Sequence, residues 1–138
     1  MNISQAADAS GLSAKMIRHY EKIGLLQGIH RSASGYRLYS GEDLHRLRFI
    51  HQARRLGFSL EQIRELLSLW GDHRRSSREV KALAMQHLED LDTRIQELQA
   101  MRQMISTLAD TCHGDERPDC PILDNLAAYS TDKKHLEL

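Results

Sequence analysis

Proline is nearly absent from this chain of 138 residues. It occurs twice, at Pro118 and Pro121, so nothing before residue 118 forbids long helices. Aromatic residues are also scarce, at 5%, while charged residues reach 28%, a balance that suits helices with narrow apolar stripes better than a thick β-sandwich core. No apolar run is long enough to span a bilayer. The start, Met-Asn-Ile-Ser-Gln-Ala-Ala-Asp, has neither the basic n-region nor the apolar h-region of a secretory signal. The expectation is a cytoplasmic protein with no membrane partner, in a compartment where thiols stay reduced. Nothing in the chain assembles a nucleophile–base constellation, so an enzyme is not expected.

Net charge is missing too, at a formal zero, which looks unpromising for a nucleic-acid binder. The distribution says otherwise. Residues 1–75 carry 12 Lys/Arg against 7 Asp/Glu, and residues 76–138 carry 7 against 12. A basic head joined to an acidic remainder is a recognised hint of nucleic-acid binding. The length allows one ordinary domain, or a small domain plus an assembly helix.

The head reads as a helix-turn-helix with a wing, occupying 1–75. Ile3, Ala6, Ala7 and Ser10 fit a short helix ended by Gly11. Ser13 then caps a second helix, Ala-Lys-Met-Ile-Arg-His-Tyr-Glu, which stops near Gly24. That helix presents Lys15, Arg18 and His19 outward, while Ile17 and Tyr20 hold its back to the core. From Gly28 to Ser40 a Ser-Ala-Ser-Gly turn separates two β-prone arms, a two-stranded wing. Arg31, Arg37, Tyr36 and Tyr39 flank the turn, with Tyr39 the one expected to pack inward. Ser40 with Asp43 starts a helix whose face is Leu44, Leu47, Ile50 and Ala53. Ser59 with Gln62 forms a capping box for another, with the face Leu60, Ile63, Leu66, Leu67 and Trp70, ended at Gly71. Arg54 and Arg55 are within reach of phosphates or simply solvated.

From Ser77 to Asp110 neither proline nor glycine interrupts the chain. Ala84, Leu88, Leu91, Ile95, Leu98, Met101, Ile105 and Leu108 recur at spacings of mostly three and four, the seam of a coiled coil over residues 76–110. Homodimerisation is the economical way to cover that stripe. Met85, Met101 and Met104 read as seam filling rather than copper ligands. A Pro121-Ile-Leu-Asp-Asn-Leu-Ala-Ala segment supplies one or two further helical turns up to residue 128. Tyr129 to Leu138 read as a polar, frayed tail.

The two cysteines, Cys112 and Cys120, bracket seven residues just after the long helix. They suit a soft metal, a redox pair, or neither. Thiolates select Cu(I), Ag(I) and Au(I), ions content with two sulfurs, whereas zinc wants four ligands. Two thiols, His113 and several carboxylates leave zinc open by inventory. His113, adjacent to Cys112, reads as a polar loop residue tuning access. A disulfide is permitted by the spacing, although Asp115, Glu116 and Asp119 are expected to raise the thiol pKa values and disfavour redox switching. A copper-buffering protein, an alternative of another class, needs no winged head.

The Ser-Ala-Lys-Met-Ile-Arg-His-Tyr-Glu segment, the Arg31…Gly35-Tyr36-Arg37 wing, the long helix and the Cys-x7-Cys loop resemble the MerR family of transcription regulators. Within it the loop, ending Asp-Cys-Pro-Ile, resembles the copper-, silver- and gold-responsive branch. The resemblance runs from Met1 to about Leu126. It implies a mostly α fold with a winged helix-turn-helix head, a small β-hairpin wing, an antiparallel dimerisation helix and a metal-binding loop over 111–128.

It also implies a homodimer on successive half-sites of a pseudo-palindromic promoter. Effector binding underwinds an overspaced promoter so that RNA polymerase recognises it, a use of DNA deformability as a switch. The DNA-facing set so implied is Ser13, Lys15, Met16, Arg18 and His19 on the second helix, with Arg31, Tyr36, Arg37 and Arg54 on phosphates. One Cu(I), Ag(I) or Au(I) per subunit is held by Cys112 and Cys120. Divalent sensors in the family place a cysteine where this chain has Ser77, so Ser77, His113 and Pro118 are the implied selectivity residues. Redox and zinc or mercury sensing remain the alternatives.

Overall fold

The structure, a computed structural model, describes residues 1–129. Their order is α1 (Ile3–Ser10), α2 (Ala14–Lys22), β1 (His30–Arg31), β2 (Arg37–Leu38), α3 (Gly41–Arg55), α4 (Leu60–Gly71), α5 (Ser77–Thr111) and α6 (Pro121–Tyr129). Two compact units emerge, Met1–Met85 and a second from Gln86 onward. The expected head at 1–75 lies inside the first unit, which also takes the start of α5. Residues 130–138, most of the expected tail, lie outside the described residues; Tyr129 itself closes α6.

The helix starts in the head are set by local chemistry. Ser13 accepts from the Met16 N–H, and Ser40 and Ser59 form reciprocal capping boxes with Asp43 and Gln62. Each cap satisfies amide groups that have no partner within the helix. Gly11 ends α1 in the left-handed conformation, φ 80°, with its N–H donated to the Ala7 carbonyl. This leaves a short turn before α2, and α1 packs on both α2 and α3.

The core of the first unit gathers Ala6, Ile17, Tyr20, Leu25, Leu26, Tyr39, Leu47, Ile50, Ala53, Ile63 and Leu67. Of the residues expected to face inward from α2, α3 and α4, Ile17, Tyr20, Leu47, Ile50, Ala53, Ile63 and Leu67 do so; Leu60 packs half-buried against the cluster, and Leu44 and Leu66 are half-buried outside it. Trp70 does not join the cluster: it stacks on Phe49 of α3, ring centroids 4.9 Å apart, and stays 44% exposed. It stands in the last turn of α4, past Ile63 and Leu67, and closes the edge of the α3–α4 contact rather than its centre.

The wing is minimal. β1 and β2 pair antiparallel over two residues each, His30 opposite Leu38 and Arg31 opposite Arg37. Its base is anchored by Tyr39, whose ring is buried and whose N–H donates to the Met1 carbonyl at 2.7 Å. Burial, with the Glu21 carboxylate second, raises the Tyr39 phenol above its usual range.

In α5 the expected stripe is uncovered. Leu88, Ile95, Leu98, Met101 and Ile105 are each at least half exposed, Leu91 and Leu108 half-buried. The one side chain α5 buries is His87, which the heptad pattern does not single out. None of the helices among the described residues is long and apolar enough to cross a membrane.

Candidate nucleic-acid interface and dithiol site

α2 sorts its residues by side. Ile17 and Tyr20 are buried, while Lys15, Met16, Arg18 and His19 are exposed. Ser13 is exposed as well, with its hydroxyl engaged by the cap at 3.1 Å. The sequence pattern Lys-Met-Ile-Arg-His-Tyr thus yields an exposed face of Lys15, Arg18 and His19 with Met16 among them, on a helix held by its back.

The wing brings its own groups to that face. Ser32 organises the turn: its N–H donates to the Tyr36 carbonyl at 2.7 Å and its carbonyl accepts from Gly35 at 2.9 Å. Gly35 has φ 86°, which a side chain would strain. Arg31 donates to the Gly35 carbonyl at 3.0 Å, and Tyr36 stands 73% exposed. Arg18, Arg31, Tyr36 and Arg37 then line one concave surface of about 450 Å³ with Asn2, Ile3, Ser32, Gly35 and Leu38. Three arginines lining one concavity suit a phosphate.

Lys15, Met16 and His19 do not line that concavity, and neither does Arg54. Arg54 is exposed near the end of α3 and donates to the Phe58 carbonyl at 3.0 Å. Arg37 has a partner that the sequence pattern did not reveal: its Nε donates to Glu21 Oε2 at 2.7 Å.

The cysteines occupy the junction of α5 and α6 in the second unit. Cys112 follows the last residue of α5, its N–H shared between the Leu108 and Ala109 carbonyls at 3.1 and 3.2 Å. Cys120 directly precedes Pro121, and its carbonyl accepts from the Asp124 N–H at 3.0 Å, making it the N-cap of α6. Proline at the first helical position fits this arrangement, because its missing N–H would have no partner there.

Capping transforms the chemistry of Cys120. The Leu123 N–H, followed by the Ile122 N–H and the Cys112 thiol, hydrogen-bonds its sulfur and lowers its pKa; burial and the Asp124 carboxylate oppose. The expectation that the loop carboxylates raise the thiols is therefore corrected at Cys120. Asp115 is turned aside instead: it accepts from the Arg117 N–H at 2.9 Å and pairs with the Arg117 side chain at 3.0 Å. His113 and Pro118 are exposed. Among the described residues no group of three or more His, Cys, Asp or Glu side chains converges. What converges is two sulfurs, both free thiols and half-buried. Two thiolates on one monovalent ion would leave one net negative charge, and the α6 amides already face the Cys120 sulfur. The pair fits a soft ion of low coordination number.

Comparison with known proteins agrees with this architecture. Residues 1–70 match the description "MerR HTH family regulatory protein" and residues 44–108 match "MerR, DNA binding". The HTH-type transcriptional regulator HmrR of Sinorhizobium medicae (strain WSM419) is 53% identical over 127 residues, covering 92% of this chain and 86% of that protein. Heavy metal-dependent transcription regulator 2 of Rhizobium meliloti (strain 1021) is 51% identical over the same shares. Among solved structures, the regulator PbrR691 of Ralstonia metallidurans CH34 in complex with lead(II) superimposes with a TM-score of 0.79 at 31% identity, covering 91% of this chain and 98% of that one.

Proposed function

The chain belongs to the MerR family of DNA-binding transcription regulators, which are not enzymes, and from that premise we propose that it is a metal-responsive activator switched by a soft monovalent ion, Cu(I), Ag(I) or Au(I), at Cys112 and Cys120. The observation that carries this reading is the sulfur pair: Cys120 caps α6 with its thiol drawn toward the thiolate, and Cys112 hydrogen-bonds it. A soft cation would displace the thiol protons, and the amides that favour the Cys120 thiolate would lessen that competition. Ser77, the first residue of α5, supplies no third thiolate where the divalent sensors this chain resembles carry cysteine. His113 and Pro118 border the pair and tune which monovalent ion is preferred.

The uncovered stripe of α5, from Leu88 to Leu108, supports a homodimer, with the two heads on successive promoter half-sites. In this reading Ser13, Lys15, Met16, Arg18 and His19 face the major groove, and Arg31, Tyr36, Arg37 and Arg54 grip phosphates. Ion binding distorts the shared promoter so that RNA polymerase initiates. Cys112→Ser and Cys120→Ser are expected to keep promoter binding and lose metal-dependent transcription, measured by gel retardation and run-off transcription on one fragment. Full activation of either variant by Cu(I) would contradict the dithiolate.

The adjacency of two free thiols, Cys112 hydrogen-bonding Cys120, also favours a second reading, a thiol redox switch, since two neighbouring sulfurs can close a disulfide when an oxidant takes their two electrons. Activation by a disulfide-forming oxidant in chelator, without any metal, would select it.

A further inference from the structure

The wing and α2 are joined by a single ion pair. Arg37 Nε meets Glu21 Oε2 at 2.7 Å, and both side chains are partly shielded, 33% and 22% exposed. Among the described residues it is the only ion pair linking the wing to another element; the other two join Arg74 to Asp72 and Arg117 to Asp115. Strands of two residues do not hold a hairpin in place by themselves. The wing's internal bonds, from Arg31 to Gly35 and around Ser32, shape its tip, and Tyr39 with Met1 anchors its base on the N-terminus; the Arg37–Glu21 pair is what ties it to α2.

Glu21 is an odd residue to find on a DNA-facing element. A carboxylate there repels the phosphate backbone and weakens binding. Its position explains it: Glu21 takes the Nε edge of Arg37, and among the described residues the two terminal nitrogens of the guanidinium make no hydrogen bond to α2. A guanidinium fixed at one edge is pre-organised for a second acceptor at the other, and lateral pinning removes rotamers that a phosphate contact would otherwise have to freeze. Arg18 and Arg31 line the same concavity.

We propose that Glu21 is a positioning residue for DNA binding: through Arg37 it fixes the wing against α2 and aims the Arg37 guanidinium at a backbone phosphate. This rests on the reading of Arg37 as a phosphate contact, and it assigns Glu21 a favourable role that its charge alone would deny.

The test is a double-mutant cycle of Glu21→Gln and Arg37→Gln in the full chain. The probe is a duplex enriched from a random pool by the wild-type protein, with binding measured across a salt series. Simple charge accounting predicts that Glu21→Gln tightens binding. Positioning predicts the reverse, a loss of about tenfold, the scale of one charge-assisted hydrogen bond. It also predicts that the double variant binds no worse than Arg37→Gln alone. Because a misaimed Arg37 no longer neutralises its phosphate, Glu21→Gln shares the drop of about 0.9 in the salt slope that Arg37→Gln shows. A merely structural role weakens binding while leaving the slope unchanged. Thermal unfolding of each variant identifies any that fails to fold, and Glu21→Asp, which keeps the charge, then carries the test with a smaller loss of the same slope. Unchanged or tighter binding by folded Glu21→Gln, or additive losses in the cycle, overturns the proposal. A normal salt slope for Arg37→Gln overturns instead the phosphate contact on which it rests.

Discussion

Cys120 carries more of the chemistry than its place in a nine-residue loop suggests. Its sulfur accepts from the Leu123 and Ile122 amides, which lower its pKa from the ordinary thiol value. The sign follows directly. Between the folded and unfolded pKa values the native chain binds fewer protons than the unfolded chain. The capping contribution is therefore fully present above the unfolded value and is lost as pH falls through the folded one. Alkylation of metal-free protein, followed by mass spectrometry of the Cys120 peptide, is expected to show a rate midpoint at lower pH in native than in urea-unfolded chain. A native midpoint at or above the unfolded one would contradict the cap. The cysteines themselves were legible in the sequence, and Pro121 beside Cys120 was the available signal for the cap. The charge count of the loop pointed the other way because it ignored direction: Asp115 is turned onto Arg117, whereas the α6 amides point at the sulfur.

Elements are where the sequence was most readable. Ser13, Ser40 and Ser59 were identifiable as helix starts because a cap is a contact over three residues, set by local chain geometry. The same locality makes Gly11 testable. It holds φ 80° between α1 and α2, and a Cβ there would approach His51 Nε2 at 3.3 Å. Gly11→Ala is expected to cost about 1–2 kcal/mol, the strain of a side chain in the left-handed region, measured by chemical denaturation. An unchanged midpoint would mean that the turn relaxes to another conformation. Contacts between distant segments were less legible. Glu21 and Arg37 lie 16 residues apart, and no periodicity relates them. Trp70 matched the apolar register of α4, yet register cannot say where the core ends along a helix, and Trp70 stands past that end beside Phe49. α6 runs nine residues, longer than the one or two turns expected, once Cys120 caps it and Pro121 starts it.

For the whole molecule, the basic and acidic halves and the heptad helix were both apparent in the sequence, and in the proposed reading they become a head that binds DNA and a stem that pairs. The stem's stripe is an apolar surface with no cover inside its own unit along most of its length, and burying such a surface contributes about 25 cal/mol per Å². Ile95→Glu is expected to place a carboxylate in that seam from each subunit, and analytical ultracentrifugation is expected to find monomers for the variant against a dimer for the wild type. A dimeric Ile95→Glu would move the interface away from α5. The central claim concerns the ion and its effect on transcription. It is tested most directly by in-vitro transcription from an overspaced promoter, titrated with Cu(I), Ag(I), Au(I), Zn(II) and Hg(II) at buffered free-ion concentrations without oxygen. Activation is expected from the three monovalent ions in the wild type and from none of them once Cys112 or Cys120 is serine; activation by Zn(II) or Hg(II) at comparable free concentration would contradict the monovalent dithiolate.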